Sequence, residues 1–443
     1  MKKYLILLLI GMYFSTSAQV DPSWILPVKD RAEWVDSMLA YRIDSLLPKL
    51  MKRTGIDMWI LVSREYNEDP VMKTMLPSAW MSARRRTIFV FTQDETGATD
   101  KIAIARYSVG KLLKGEWNID VYPDQWEALV EYVKEKNPKK IGMNYSKDFG
   151  LADGLVKTEY HEFLEILPKE YHSRLCSAED LSIAWLETRS KMEIDIYPRL
   201  CKIGHGILQK AFSKDVITAG TTTTEDVVWF LRQRVVDLGL KTWFHPTVSI
   251  QRKNEEKFDH LRSFSKRPGQ QIIQYGDLLH VDFGVTYLRL NTDQQQHFYM
   301  MHPDEKSIPQ YLIDAFKKAN RVQDILTENF SIEKSGNKIL ADALAQAERE
   351  GINAAIYTHP IGFHGHAAGP TIGMWDNQGA TVGRGDYKMF YNTAYSIELN
   401  AATEIKEWNK IVRIMLEEDG IFTEDGFYYP DGRAKEIFAI PRL

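Results

Sequence analysis

Residues 280–293 read HVDFGVTYLRLNTD, and the two aspartates in this stretch, Asp282 and Asp293, constrain the fold more than any other feature. They stand among residues apolar and β-branched enough to form strands. A carboxylate buried without a partner costs roughly several kcal/mol, so such a group pairs with a cation or binds a metal. If the flanking segments form an antiparallel pair with a turn centred between Tyr287 and Leu288, the aspartates, eleven residues apart, face each other on one side of the sheet. They then repel unless something positive lies between them. The turn carries no Asn-Gly or Gly signal to fix that register.

Two later carboxylates repeat the pattern. Glu398 stands among Tyr395, Ile397 and Leu399 in TAYSIELNA, and Glu417 ends an apolar run in IVRIMLEEDGIFT. Between them, glycine-rich HPIGFHGHAAGPTIG carries His359, His364 and His366. Acidic groups with an imidazole on strands of one domain suit hard divalent ions such as manganese, magnesium or zinc better than thiolate-loving ones. Each residue alone has a plainer reading: a lone strand carboxylate is more often half of an ion pair, and a lone His366 a hydrogen-bonded turn residue. Only the set points to metal.

The series Asp282, Asp293 eleven later, His366 in GHAAG, Glu398 in SIELN and Glu417 in LEEDGIFTEDG resembles the five-ligand set of the pita-bread metallopeptidases. That family includes aminopeptidase P, prolidase, methionine aminopeptidase and the non-peptidase creatinase. Near the amino end, RIDSLLPKLMKRTGIDMWILVS resembles the extra domain of the aminopeptidase P, prolidase and creatinase branch. The resemblance implies an α+β fold in which a pita-bread catalytic domain over residues 186–443 follows a creatinase-like α/β domain over residues 19–185. It also implies two divalent metal ions, manganese first, with zinc, cobalt or iron as alternatives. Asp293 and Glu417 would bridge them, Asp282 would chelate one, and His366 with Glu398 would complete the other. Such a pair can generate hydroxide from water and polarise a carbonyl, with Glu398 doubling as the proton-transfer group.

The reaction so implied is release of the N-terminal residue from peptides with proline in second position, by a homodimer. The family also keeps a substrate-facing histidine upstream of the first aspartate. His260 in EKFDHLRSF is preferred over His245 in WFHPTVS, against the plain alternative of a surface-loop histidine. His359 and His364 are read as structural rather than catalytic.

Three positions depart from the family. Gly373 stands seven after His366, where peptidase members have a second histidine. Gln294, Gln295 and Gln296 replace the threonine and arginine that follow the second aspartate, and Met415 replaces an arginine, with Arg413 displaced from that place. The ligand set is untouched while the substrate pocket is altered. Two other expectations therefore compete with the peptidase: creatinase-like cleavage of a non-peptide C–N bond, and a non-catalytic ligand-binding relative.

The rest of the chain fits a two-unit enzyme. Met38, Leu39, Ile43, Leu46, Leu47 and Leu50 recur at helical spacing, Gly55 stops the helix, and IDMWILV follows as a buried strand. Further strands are expected at 86–92, 101–109 and 139–146. A long amphipathic stretch from Glu187 is interrupted by Pro198, and TTTEDVVWFLRQRVVDLG supplies another helix with a Thr and acidic start. From Trp243 onward, strands and glycine-rich turns are expected to dominate. A net charge of −4 gives no basic field to recruit nucleic acid or acidic lipid. The arginines of SARRRT form a solvated face by default, with a place beside a neighbouring subunit's site as the minority reading.

Residues 1–18 have the basic start, short apolar run and small-residue end of an export leader, which implies a periplasmic or secreted protein without a membrane anchor. Cys176 and Cys201 allow one disulfide or two thiols. HEFLE at 161–165 lacks the second histidine of a zincin helix, and no G-x-S-x-G elbow, phosphate loop or C-x-x-C pair occurs.

Overall fold

The computed structural model describes residue 20 and residues 22–253 and 269–441. The leader at 1–18 and His260 lie outside the described residues. The first unit is built on a six-stranded sheet of β1 (Met58–Arg64), β2 (Arg86–Gln93), β3 (Thr99–Ala103), β4 (Lys114–Gly115), β5 (Ile141–Met143) and β6 (Leu175–Ser177), in the order β4-β3-β2-β1-β5-β6. β1 is central because Met58–Ser63 are all buried, as a strand covered on both faces must be. The helix Leu47–Thr54 before it ends where Gly55 turns left-handed at φ 66°. The strands expected at 101–109 and 139–146 are shorter than their apolar runs; β3 stops at Ala103 and β5 keeps three residues.

The second unit opens on the helix Lys191–Ala211, which runs unbroken through Pro198. The lost backbone bond costs roughly 3 kcal/mol, and burial of Tyr197, Leu200, Cys201, Ile203 and Ile207 on one stripe offsets it. Ser190 and Thr223 start this helix and the helix Thr224–Asp237 with capping boxes closed by Glu193 and Asp226. The strands follow as β7 (Thr247–Gln251), β8 (Leu278–Phe283), β9 (Thr286–Tyr287), β10 (Leu290–Asn291), β11 (Gln294–Met300), β12 (Asn353–Ile356), β13 (His359–Pro360), β14 (Thr393–Ser396), β15 (Leu399–Ile405), β16 (Lys410–Leu416), β17 (Asp419–Thr423), β18 (Gly426–Tyr428) and β19 (Phe438–Ile440). They pair as β19-β11-β8-β7, β12-β15-β16, β13-β14-β17-β18 and the small hairpin β10-β9.

The expectation of mainly strands after Trp243 missed two helices, Gln310–Glu328 and Gly336–Arg349. Their apolar residues, such as Leu312, Phe316, Ala319, Val322 and Leu326, recur at helical spacing and pack on the sheet.

The turn between the aspartates also differs from the expected one. Asp282 pairs with Gln295, not Asp293, and the turn is centred between Leu288 and Arg289. Both turn residues have positive φ, 51° and 64°, as a type I′ turn requires. Side chains larger than Asn or Gly are strained there by roughly 1–2 kcal/mol each. Leu288 compensates by being buried. Arg289 does so by donating to the carbonyls of Leu76 (2.6 Å) and Pro77 (3.3 Å) in the first unit.

Cys176 and Cys201 are both free thiols. Among the described residues no helix is long and apolar enough to cross a membrane.

A buried ionic knot joins the units. Glu193 accepts from Arg42 at 2.7 Å and from Arg189 at 2.8 Å, and Arg42 also donates to the Thr188 carbonyl at 2.7 Å. Removing one member of such a group strands the others' charge away from water. Glu193→Gln is therefore expected to lower unfolding free energy by about 3–5 kcal/mol, measured by urea denaturation; a change within about 0.5 kcal/mol would show that the knot does not carry the junction.

Candidate metal centre

Pairing across the sheet assembles the acidic groups. Asp282 on β8 is opposite Gln295 on β11, and a bridge continues from Gln295 to Glu417. The ladders β15–β16 and β14–β17 share one register, Leu399 facing Leu416 and Ser396 facing Asp419, so Glu398 faces Glu417 between them. In the same way Ile356 faces Leu399 and His359 faces Ser396, which sets Tyr357 beside Glu398. Cross-strand neighbours share a face at roughly 4.5–5.5 Å. Asp282, Gln295, Glu417, Glu398 and Tyr357 thus form one row, with Asp293 two residues before Gln295.

Three overlapping groups result, each with its potential ligand atoms within 4.8 Å of one another: Asp282 with Asp293 and Glu417, His359 with Glu398 and Glu417, and Asp293 with His359 and His366.

The chemistry of this cluster is that of a cation site. Burial, then the charges of Glu417 and Asp282, push the Asp293 carboxyl well above the usual carboxylate range. Burial and Glu417 do the same to Glu398. The donors that reach the acids are neutral: Ser396 Oγ to Glu417, and Gln295 Nε2 to Glu398 Oε1 (2.6 Å) and Glu417 Oε2 (2.7 Å). Asp293 Oδ1 and His359 Nε2 are buried with no hydrogen-bond partner. His359 Nε2 lies 3.6 Å from Asp293 Oδ2 and 3.7 Å from Glu417 Oε1, too far for hydrogen bonds and near enough to share a bound ion. Buried carboxylates, orphaned acceptors and imidazole nitrogens in one place fit divalent ions.

All five side chains expected as ligands fall in this cluster, and His359 joins them. Where His359 was expected to be structural, its nitrogen belongs to two of the three groups, whereas His366 belongs to one and reaches solvent. The rings of His359 and His366 are 4.7 Å apart, and His366 also meets Trp243 edge-on at 5.2 Å. Loss of hydration between these walls, with His359 adding to it, pushes the His366 pKa down to about 4 even though part of the ring is exposed.

Gly373 is no vacated histidine position. Its φ is 77°, and a Cβ there would run into the Ile356 carbonyl. His245 is elsewhere, accepting from Arg232 at 3.0 Å and touching Trp229. Arg413 donates to Asn400 at 3.3 Å, while the Met415 backbone donates to His297 Nε2 at 3.0 Å.

Sequence reasoning missed Trp243, fixed by its donation to the Thr292 carbonyl at 2.8 Å, and the roles of Tyr357, Ser396 and Asp419. Asp419 Oδ1 accepts from the Asp293 backbone at 3.2 Å. The available signal was the pairing of SIELN with LEED, which puts Glu398 against Glu417.

The raised pKa values set a pH dependence. Asp293 and Glu398 keep protons in the metal-free fold that the unfolded chain has already lost. Their contribution to stability is complete below the ordinary carboxylate range and is lost as pH rises through their raised values. A cation must displace those protons, so its binding strengthens with pH. The gain in Tm on adding excess manganese to chelator-stripped protein is expected to be larger at about pH 8 than at about pH 5.5. Saturation at about 100 times Kd corresponds to about 2.7 kcal/mol. Equal gains at both pH values would contradict this.

A family model described as metallopeptidase family M24 matches residues 196–427, more than half of the chain. No curated protein matches it. Among solved structures, the X-Pro aminopeptidase from Thermotoga maritima aligns with a TM-score of 0.60 at 14% identity, covering 88% of this chain and 100% of that one. The Xaa-Pro dipeptidase from Bacillus anthracis aligns at 0.58 and 17% identity, covering 94% and 100%. The N-terminal domain of the FACT complex subunit SPT16 from chickpea, Cicer arietinum, aligns at 0.55 and 12% identity, covering 95% and 100%. At such identities the likeness is one of fold, here a pita-bread domain behind an α/β unit. The matched family, found over the segment that builds the carboxylate row, makes the chain a metallo-hydrolase and a member of metallopeptidase family M24.

Proposed function

We propose that this metallo-hydrolase is an exopeptidase that releases the N-terminal residue from peptides with proline in second position, with two divalent ions, manganese foremost. One observation carries the reading against its rivals: His359 and His366 are seven residues apart and adjacent in space. That is the step expected between the metal histidine and the substrate histidine in peptidase members. Placing the metal histidine at His359 supplies the second histidine at His366, and the apparent loss at Gly373 disappears. The solved X-Pro aminopeptidase and Xaa-Pro dipeptidase of the same fold support the same choice.

In this reading Asp282, Asp293 and Glu417 would hold one ion and His359, Glu398 and Glu417, with Asp293, the other. When bound, the ions acidify water and polarise a carbonyl. The remaining work belongs to the chain. Glu398, facing Glu417 in the carboxylate row, would take a proton from the attacking water and carry it to the leaving amine. His366, neutral at the mouth, offers an N–H to the oxygen of the reacting carbonyl. Trp243 gives it a fixed edge and offers an apolar wall for a proline ring. The helix Pro70–Met75 of the first unit closes one side, with the Pro70 carbonyl 3.4 Å from His364 Nε2, which suits a chain end better than a mid-chain segment.

A second reading keeps the fold and the ions but acts on a non-peptide C–N bond. It draws on Gln295 and Met415, which stand where the resemblance places other pocket residues. A peptide library digested with added manganese and with chelator separates the two. Metal-dependent release of residues preceding proline is expected; no cleavage by protein carrying two ions would overturn the peptidase reading.

The histidines separate in a second experiment. His359→Ala is expected to lose about one equivalent of bound metal by elemental analysis, whereas His366→Ala keeps its metal and loses about 100-fold or more in kcat/KM. Retention of full metal by His359→Ala would return the ligand role to His366.

A further inference from the structure

We infer that a cavity on the far side of the sheet from the carboxylate row binds a free amino acid with an apolar side chain. The site stands apart from the peptidase reading and needs neither ion. Alternation along β11 sends Gln295 to the carboxylate row and Gln296 to the opposite face. Gln296 there lines a cavity of about 260 Å³, between the helix Lys191–Ala211, β11 and residues 431–438, with Trp24 and Phe438 as its aromatic walls. Pockets for drug-sized molecules begin at about 300 Å³, so this one suits a single small molecule rather than a peptide.

Two groups on the wall call for a positively charged donor. Gln296 is 3% exposed; its Nε2 donates to Glu418 Oε1 at 3.3 Å, and its Oε1 is buried with no hydrogen-bond partner among the described residues. A buried acceptor in that state lacks the partner that such groups ordinarily have. The second group is Asp431. His205 donates to Asp431 Oδ2 at 2.8 Å and to Glu418 Oε2 at 2.7 Å, and one imidazolium between two carboxylates leaves one negative charge over. Although burial opposes it, the two acids hold His205 protonated, with its pKa pushed up to about 10. An ammonium group answers both acceptors.

A third group calls for an anion. Lys202 stands about one helical turn before His205 on the same face, with Nζ 4.7 Å from the centre of the Trp24 ring and no ion pair among the described residues. Arg433, also on the wall, is already paired with Asp324 at 2.6 Å, so Lys202 is the cation left for a carboxylate. Between these charges Trp24 and Phe438 offer apolar surface. An ammonium, a carboxylate and an apolar body on one small molecule describe an amino acid.

The test is isothermal titration calorimetry of the metal-stripped full chain with L-leucine and L-phenylalanine, beside their amides and their N-acetyl forms. Stripping the metal takes the ions' own attraction for amino acids out of the measurement. One molecule per chain is expected, with a Kd of about 1 mM or tighter. The amides and N-acetyl forms, each lacking one charge, are expected to bind about tenfold or more weakly. Lys202→Met is expected to abolish the preference for the acid over its amide, and Asp431→Asn the preference for the free amine over its N-acetyl form. Both side chains reach solvent, and the comparison of acid with amide needs no variant.

No binding of either amino acid at about ten times that concentration, equal binding of acids and amides by wild type, or survival of both preferences in the folded variants would each overturn the inference. A peptide library left uncut while leucine still binds would remove the peptidase reading and leave this site standing, so the two failures are distinct.

Discussion

Glu398 and Glu417 face each other across a buried strand junction, with Asp282 and Asp293 within reach, and this concentration of like charge is what the surrounding structure must hold. Two unit charges about 4 Å apart interact by roughly 1 kcal/mol in water and roughly 4 kcal/mol at an effective dielectric of 20. Ser396 and Gln295, which touch Glu417 and Glu398, are neutral donors that orient the carboxylates without cancelling their charge. Either protons or cations must make up the difference. That is why Asp293 and Glu398 hold their protons so firmly, and why an ion is the natural partner at higher pH.

Holding such a cluster takes rigid strands, and buried polar struts supply the rigidity. His297 donates from Nδ1 to the Leu279 carbonyl at 3.1 Å and accepts at Nε2 from the Met415 backbone, which ties β8, β11 and β16 together and fixes its tautomer. Gln251 bonds both backbone groups of Arg413, at 2.7 and 3.0 Å, and so joins β7 to β16. Along Glu417, Glu418 and Asp419, alternation sends consecutive acids to different tasks. Glu417 faces the cluster, whereas Glu418 meets His205 Nε2 at 2.7 Å behind the sheet. His205 also meets Asp431, and the two acids drive its pKa up to about 10 against the opposing effect of burial.

Much of this was legible because carboxylates in apolar runs are rare and their spacing survives error in register. The structure pairs Asp282 with Gln295 rather than Asp293, a slip of two residues. A slip of two keeps every side chain on its face, whereas a slip of one would have turned an aspartate away. The acids were therefore found with the wrong partner and the right side. The turn was misplaced because Leu288 and Arg289 carry no local signal; contacts with the first unit, which no window of sequence contains, hold them in left-handed conformations. The histidines are hard to tell apart in sequence for a related reason. In HPIGFHGHAAGPTIG several glycines and histidines satisfy the same spacing rule, and only backbone conformation distinguishes a glycine that must be glycine, such as Gly373, from an absent side chain. The helices after Met301 are plain in their periodicity, which a reading of the whole region as strands and turns passes over.

The first unit is more than an appendage to this site. The hairpin tip between Asp282 and Asp293 leans through Arg289 on the carbonyls of Leu76 and Pro77. The loop carrying His359 and His366 leans through His364 on the Pro70 carbonyl. Both flanks of the cluster thus rest on one short stretch, residues 70–77, whose helix Pro70–Met75 is capped by buried Asp69 and braced by Trp185 donating to Thr74 at 2.7 Å. A displacement of that helix would move the aspartate hairpin and the histidine loop together. The spacing between an aspartate and a histidine across the cluster is therefore set in part by a unit that contributes none of the clustered side chains.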